Sequence, residues 1–188
     1  MLPFQVAVTL LTFIAASILA LLRGSVAIIS YHLIFVIGVM PLILAAIVHF
    51  VPVLARSKSP GKFIRLLPLI ALLGGVLVIG YFAFPQIVPF AHYLGAAIII
   101  IAVASLWYWA YHLRSKAIGT PHPCLDWYLA AMLCLSIALA AILIGYFIPV
   151  QRAALRLLHL HLNTLGFIGI TALGTLQVLL PTAAQRPD

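Results

Sequence analysis

The sequence predicts an all-α integral membrane protein, a six-transmembrane-helix bundle built of three helix hairpins. Three observations carry that prediction. Of the 188 residues, 66% are hydrophobic and only 6% are charged. Mean hydropathy is +1.29, a balance that soluble globular domains do not show. Six apolar runs are each long enough to cross ~30 Å of hydrocarbon at ~1.5 Å per residue, and the segments joining them are short.

The runs cover approximately 4–22, 26–54, 63–84, 90–112, 127–148 and 154–181. The first has neither a basic leader nor a small-residue cleavage site, so it reads as a retained span. The second and sixth exceed the hydrocarbon thickness and must tilt or protrude. Pro41 falls in the middle of the second run, where a missing N–H and a ring clash should kink the helix. The joining segments are Arg23-Gly24-Ser25, Arg56 to Lys62, Pro85 to Pro89, Arg114 to Asp126 and Pro149 to Arg152. None resembles an interdomain linker, so residues 1–188 form a single transmembrane domain.

A net charge of +8 invites a nucleic-acid partner. The basic residues, however, sit in loops and at run ends, where they set topology. Nucleic acid is excluded; the lipid bilayer is the partner that composition demands. With the N-terminus inside, Arg56, Lys58, Lys62, Arg65, Arg114, Lys116 and Arg186 are cytoplasmic, against Arg23, Arg152 and Arg156 outside. Both termini are therefore expected in the cytoplasm, and the cell membrane is expected to be a bacterial inner membrane. Trp107, Tyr108, Trp109 and Tyr111 would then form an aromatic belt at the inner end of the fourth helix. Cys124 and Cys134 lack a CxxC arrangement and support neither a disulfide framework nor a thiolate site. They read as a loop thiol and a small lipid- or core-facing residue.

The chain repeats itself. Ile79-Gly80-Tyr81-Phe82 closes the third run and Ile144-Gly145-Tyr146-Phe147 closes the fifth, each followed by Pro, Gln and a His-bearing helix. His32 precedes Pro52 by twenty residues, and His161 precedes Pro181 by twenty. The second helix of each hairpin thus carries histidine near its outer end: His32, His92, and the pair His159 and His161.

These four are the candidate site. Imidazole buried in a membrane is costly without a partner, and neutral imidazole is a good ligand for haem iron, copper or zinc. His159 and His161, two apart at ~100° per residue, point to nearly opposite sides of one helix and can serve two environments. His49, His112 and His122 lie at the inner side and read as interfacial or hydrogen-bonded residues, His122 in a Pro-rich loop. His32 and His49 are 17 residues apart and fall on different faces, so two haems stacked along one helix pair, as in quinol-oxidising cytochromes b, are not expected.

His159-Leu160-His161-Leu162-Asn163, followed by Gly166-Phe167, Gly169, Gln177 and Pro181, resembles the His-x-His helix of haem–copper oxidase catalytic subunits, particularly the cbb-type branch. It is similar also to the corresponding helix of NnrS-type membrane haem proteins. The resemblance covers the second and sixth runs, about a third of the chain. It implies that His32 is the early axial ligand of a low-spin haem, with His161 or His159 its partner. The other histidine of the pair would face a second haem or metal, with His92 nearby. Adjacent copper-ligating histidines are missing, and Asp126 and Asp188 are the only carboxylate side chains. A complete proton-pumping oxygen reductase is therefore not expected.

The expected function is binding of one or two copies of haem b, with copper as a further metal. It would serve electron transfer, or diatomic-gas or metal handling, near the outer membrane face. If the protein is an enzyme it is an oxidoreductase. Its partners would be other respiratory membrane subunits or a second copy of the chain. The competing class is a cofactor-free transporter or respiratory-complex assembly subunit.

Overall fold

The computed structural model describes residues 2–22, 27–117 and 119–184. Arg23, Gly24, Ser25, Arg186 and Asp188, which entered the reading of topology and charge, lie outside the described residues. The fold is all-α, and no strand occurs among the described residues. Six helices are long and apolar enough to cross a membrane: α1 (Leu2–Leu22), α2 (Ala27–Leu54), α3 (Lys62–Ala83), α4 (Ala91–Ser115), α5 (Cys124–Phe147) and α6 (Pro149–Pro181).

Helices α5 and α6 begin ahead of their apolar runs. The fifth helix begins at Cys124 rather than near 127, because His122 accepts the Cys124 N–H on Nδ1 at 3.1 Å and closes the entering turn. Asp126 then falls in the first turn of α5, where a carboxylate complements the positive helix end. There it accepts from Arg114 at 2.9 Å, fastening the loop to the end of α4. Cys124 is consequently a buried residue, not a loop thiol. The sixth helix opens with a short 3-10 turn over Pro149–Gln151.

The chain divides into two compact units, Met1–His49 with Gly61–Ala102, and Phe50–Pro60 with Val103–Asp188. In the first unit, α1 shows how a membrane helix is built inside out. Gln5, Thr9, Thr12 and Ala16, at spacings of four, three and four, are its buried face. Leu10, Leu11 and Ile14 are its exposed one. Hydrocarbon solvates the leucines, and the protein interior must satisfy the polar groups. Thr9 hydrogen-bonds the Gln5 carbonyl at 2.8 Å and the Gly38 carbonyl of α2 at 3.0 Å. Glycines set the remaining contacts of this unit. A Cβ on Gly74 of α3 would sit 2.7 Å from the Gly95 carbonyl of α4, and one on Gly75 would sit 2.9 Å from the Val36 carbonyl of α2. Small residues let the backbones close to van der Waals distance, the packing open to helices that gain nothing from excluding lipid.

In the second unit, α5 and α6 form an antiparallel hairpin. Gly166 lies against Cys134 and Gly174 against Trp127; an added Cβ would approach those side chains to 2.8 Å and 2.7 Å. Tyr128 and Thr175 join the same two helices by a hydroxyl–hydroxyl bond of 3.0 Å. Trp107 at the end of α4 donates its indole N–H to the Leu129 carbonyl of α5 at 3.1 Å. This aromatic therefore ties two helices, whereas Tyr108 and Tyr111 face outward as a belt would.

Two stretches depart from α geometry. Residues Leu33–Val39 of α2 and Leu162–Gly169 of α6 are wound as π-helix, in which hydrogen bonds reach back five residues rather than four. In α2 the cause is Pro41, which cannot donate to Ile37. The preceding turn widens, and the Met40 N–H returns to Phe35. The expected proline kink is thus taken up as a wide turn ahead of the ring. In α6 no proline is near. There the side chains of Asn163 and Thr164 cover the carbonyls at the turn's entrance, bonding His159 O at 2.7 Å and Leu160 O at 2.9 Å.

Candidate functional site

Each wide turn is headed by one of the predicted histidines. His32 is the last residue before the π segment of α2, and His161 the last before that of α6. In both, Nδ1 lies 2.8 Å from the carbonyl four residues earlier, Ile28 for His32 and Leu157 for His161. A carbonyl can only accept, so Nδ1 carries the proton in each ring. In the neutral imidazole, Nε2 then holds the lone pair and points away from its own helix. His159 is fixed in the same tautomer by a different partner, the Ala138 carbonyl of α5 at 2.9 Å. Its Nδ1 is also 3.3 Å from the Asn163 amide nitrogen. With Nδ1 already a donor, that contact is not a hydrogen bond, and the amide serves the His159 carbonyl instead.

The surroundings of the four histidines differ. His32 is half-buried and packs, tilted, against Phe82 of α3 at 4.5 Å between ring centroids. Phe82 adjoins Tyr81 at 5.4 Å, and Tyr81 adjoins His92 at 3.9 Å. Tyr93 packs on His92 at 3.9 Å as well. Within the first unit, then, His32 and His92 stand at the two ends of one aromatic chain running through the Tyr81-Phe82 pair. His92 is buried, with two tyrosine rings tilted against its own. In the second unit, His159 is turned into α5 and half-buried, while His161 is exposed on the other side of α6.

The duplicated Gly-Tyr-Phe acquires two roles. In the first unit Tyr81 and Phe82 bridge the histidines. In the second, Tyr146 lies beneath the Arg152 guanidinium, 5.8 Å from its ring centroid, and Arg152 donates to the Gly145 carbonyl at 3.2 Å. The interior-facing stripe Gln5, Thr9 and Thr12 was a further signal open to sequence reading, through its helical spacing on an apolar run. The Ala138 carbonyl was not, because a backbone acceptor leaves no mark in composition.

His112 stacks beside Tyr108 with ring centroids 6.3 Å apart, and His122 serves its turn. Among the described residues no three of His, Cys, Asp or Glu group as a metal site. Comparison with known protein families, characterised proteins and solved structures finds no match to this chain.

Proposed function

We propose that this chain is an integral protein of the bacterial inner membrane that binds haem b through His32 and one of His159 and His161, in electron transfer or diatomic-gas handling near the outer face. One observation carries the reading. His32 and His161 each donate Nδ1–H to a backbone carbonyl one turn back, the contact that orients a metal-ligating imidazole, fixes its tautomer and raises its basicity. Both copies of the repeat thus hold the same residue, costly in an apolar chain, in the same way.

The donor set fits haem better than a protein-only metal centre. A zinc or copper site built from side chains alone asks three or four ligands to converge. Haem brings its equatorial nitrogens with it and asks the protein for an axial imidazole and an apolar enclosure. Bound haem would supply one-electron chemistry or an iron position for a small gas. The residues of the chain orient the imidazoles and exclude water. The likeness of the sixth run to the His-x-His helix of oxidases supports the same reading, and partnership with respiratory membrane subunits belongs to it.

The test is direct. The protein is expressed with an ample haem supply, purified in mild detergent and examined by reduced-minus-oxidised spectroscopy. A b-type absorption band is expected, unchanged by His122→Ala. A colourless preparation would sink the haem reading and favour the cofactor-free accessory subunit.

A further inference from the structure

Three features of α6 recur every seven residues and all meet α5. Arg152 donates to the Gly145 carbonyl at 3.2 Å. His159 donates to the Ala138 carbonyl at 2.9 Å. Gly166 lies so close to Cys134 that an added Cβ would come within 2.8 Å of it. The two acceptors, Gly145 and Ala138, are themselves seven apart on the facing helix. His159 therefore sits in the seam of an antiparallel hairpin, one step from Arg152 and one step from a near-contact of backbones. Ala138 and Ala141 on the facing side are buried. A planar macrocycle has no room to enter there without parting the helices. Asn163 holds the same residue by its carbonyl, at 2.7 Å.

His161 is placed otherwise. Two positions on, it lies ~200° around the helix, is exposed, and bonds within its own helix at Leu157. The internal repeat separates the two histidines again. A shift of 129 residues carries Ile28 onto Leu157, His32 onto His161 and Pro52 onto Pro181. The same shift carries Ser30 onto His159. Ser30 is buried, as a residue facing the interior should be. Imidazole is thus present in both copies at the His32/His161 position, but in only one at the interior-facing position.

We infer that His159 is a positioning residue that clamps α6 onto α5, and that iron ligation in the second unit falls to His161 alone. The ligation half rests on the haem reading above; the clamp does not. The clamp fixes the rotation of α6 and so the direction in which His161 presents Nε2.

Glutamine separates the two roles, since its amide can donate to the Ala138 carbonyl but is a poor iron ligand. His159→Gln is expected to keep the b-type band at full intensity, and His161→Gln to lose it. His159→Leu, which removes the donor, is expected to weaken haem retention about 10-fold, the usual effect of losing an outer-shell partner. Loss of the band in His159→Gln overturns the assignment. Thermal unfolding of the haem-free protein in detergent tests the clamp whatever the colour. His159→Leu should lower the Tm by about 2–4 °C, the shift expected when a buried carbonyl loses its donor, with His161→Leu at the wild-type value. Equal Tm values for His159→Leu and the wild type overturn the clamp. If the wild type is colourless, the haem reading falls while the clamp is still judged on Tm.

Discussion

Helices α2 and α6 solve the same problem with different parts. Each carries a histidine tied back to its own helix, then a π-helical turn, then a proline twenty residues beyond the histidine. In α2 the wide turn is forced by Pro41, and its Gly38 carbonyl is satisfied from outside, by Thr9 of α1. In α6 there is no proline at that level, and carbonyls at the turn are satisfied from within, by Asn163 and Thr164. The interior-facing position two residues before the histidine is a small Ser30 in one and the inter-helix donor His159 in the other. What the two helices retain in common is the histidine, its backbone anchor and the wide turn. What differs is the means of paying the backbone's hydrogen-bond debt in a medium without water. The proposed haem reading rests on the first set.

Crowding at the glycines gives the largest way to break this comparison. Gly166→Val and Gly75→Val each push a side chain into a neighbouring helix, at a cost of about 1–3 kcal/mol by overpacking. Both should appear as a fall in detergent Tm. Gly75 abuts a backbone carbonyl that cannot swing aside, and Gly166 abuts the short Cys134 side chain. Gly75→Val should therefore be the more damaging of the two.

The next effect sharpens the contrast in how the π turns are satisfied. Thr9→Val removes the hydroxyl that reaches the Gly38 carbonyl while keeping the side-chain shape, and should cost on the order of 1 kcal/mol. Asn163→Leu removes the amide from the His159 carbonyl and should cost a similar amount. Hydrogen exchange should show each loss confined to its own π turn. Spread of either effect into the other helix would refute the independence of the two solutions.

Gln5 offers a change of opposite sign. Its side chain is fully buried, and neither amide atom has a hydrogen-bond partner, an expensive condition in an apolar interior. Gln5→Leu should stabilise the protein by about 1–3 kcal/mol at most, read as a higher Tm. An unchanged or lowered Tm would mean that the amide has a function of its own in the first unit. The smallest effect belongs to Arg114 and Asp126, an exposed pair worth about 0–1 kcal/mol. Asp126→Asn should shift the Tm barely, and less at high salt.

Much of this fold was legible in the sequence, because six runs of hydrocarbon length leave a membrane protein few alternatives. The hairpin order and the twin His–Pro spacing were also visible. The π turns were not. Widening by one residue alters hydrogen bonding but not composition, and only Pro41 gave a hint of it. The start of α5 at Cys124 was missed because Pro-His-Pro looks like a loop, and the capping contact from His122 is local geometry. Among the histidines, position on the helix showed that His159 and His161 face apart. Which of them faces a neighbour depends on the rotation of α6 against α5, which rests on a backbone carbonyl at Ala138. His92 looked like the others in sequence; its burial beside Tyr81 and Tyr93 is a tertiary feature that left no mark there.

The central claim is that α2 and α6 present equivalent imidazoles to haem. The measurement closest to it is the reduced-minus-oxidised spectrum of His32→Gln beside that of His161→Gln, each normalised to purified protein. The account predicts that both substitutions abolish the same b-type band while leaving the detergent Tm of the haem-free protein unchanged. A full band surviving in either variant would contradict it.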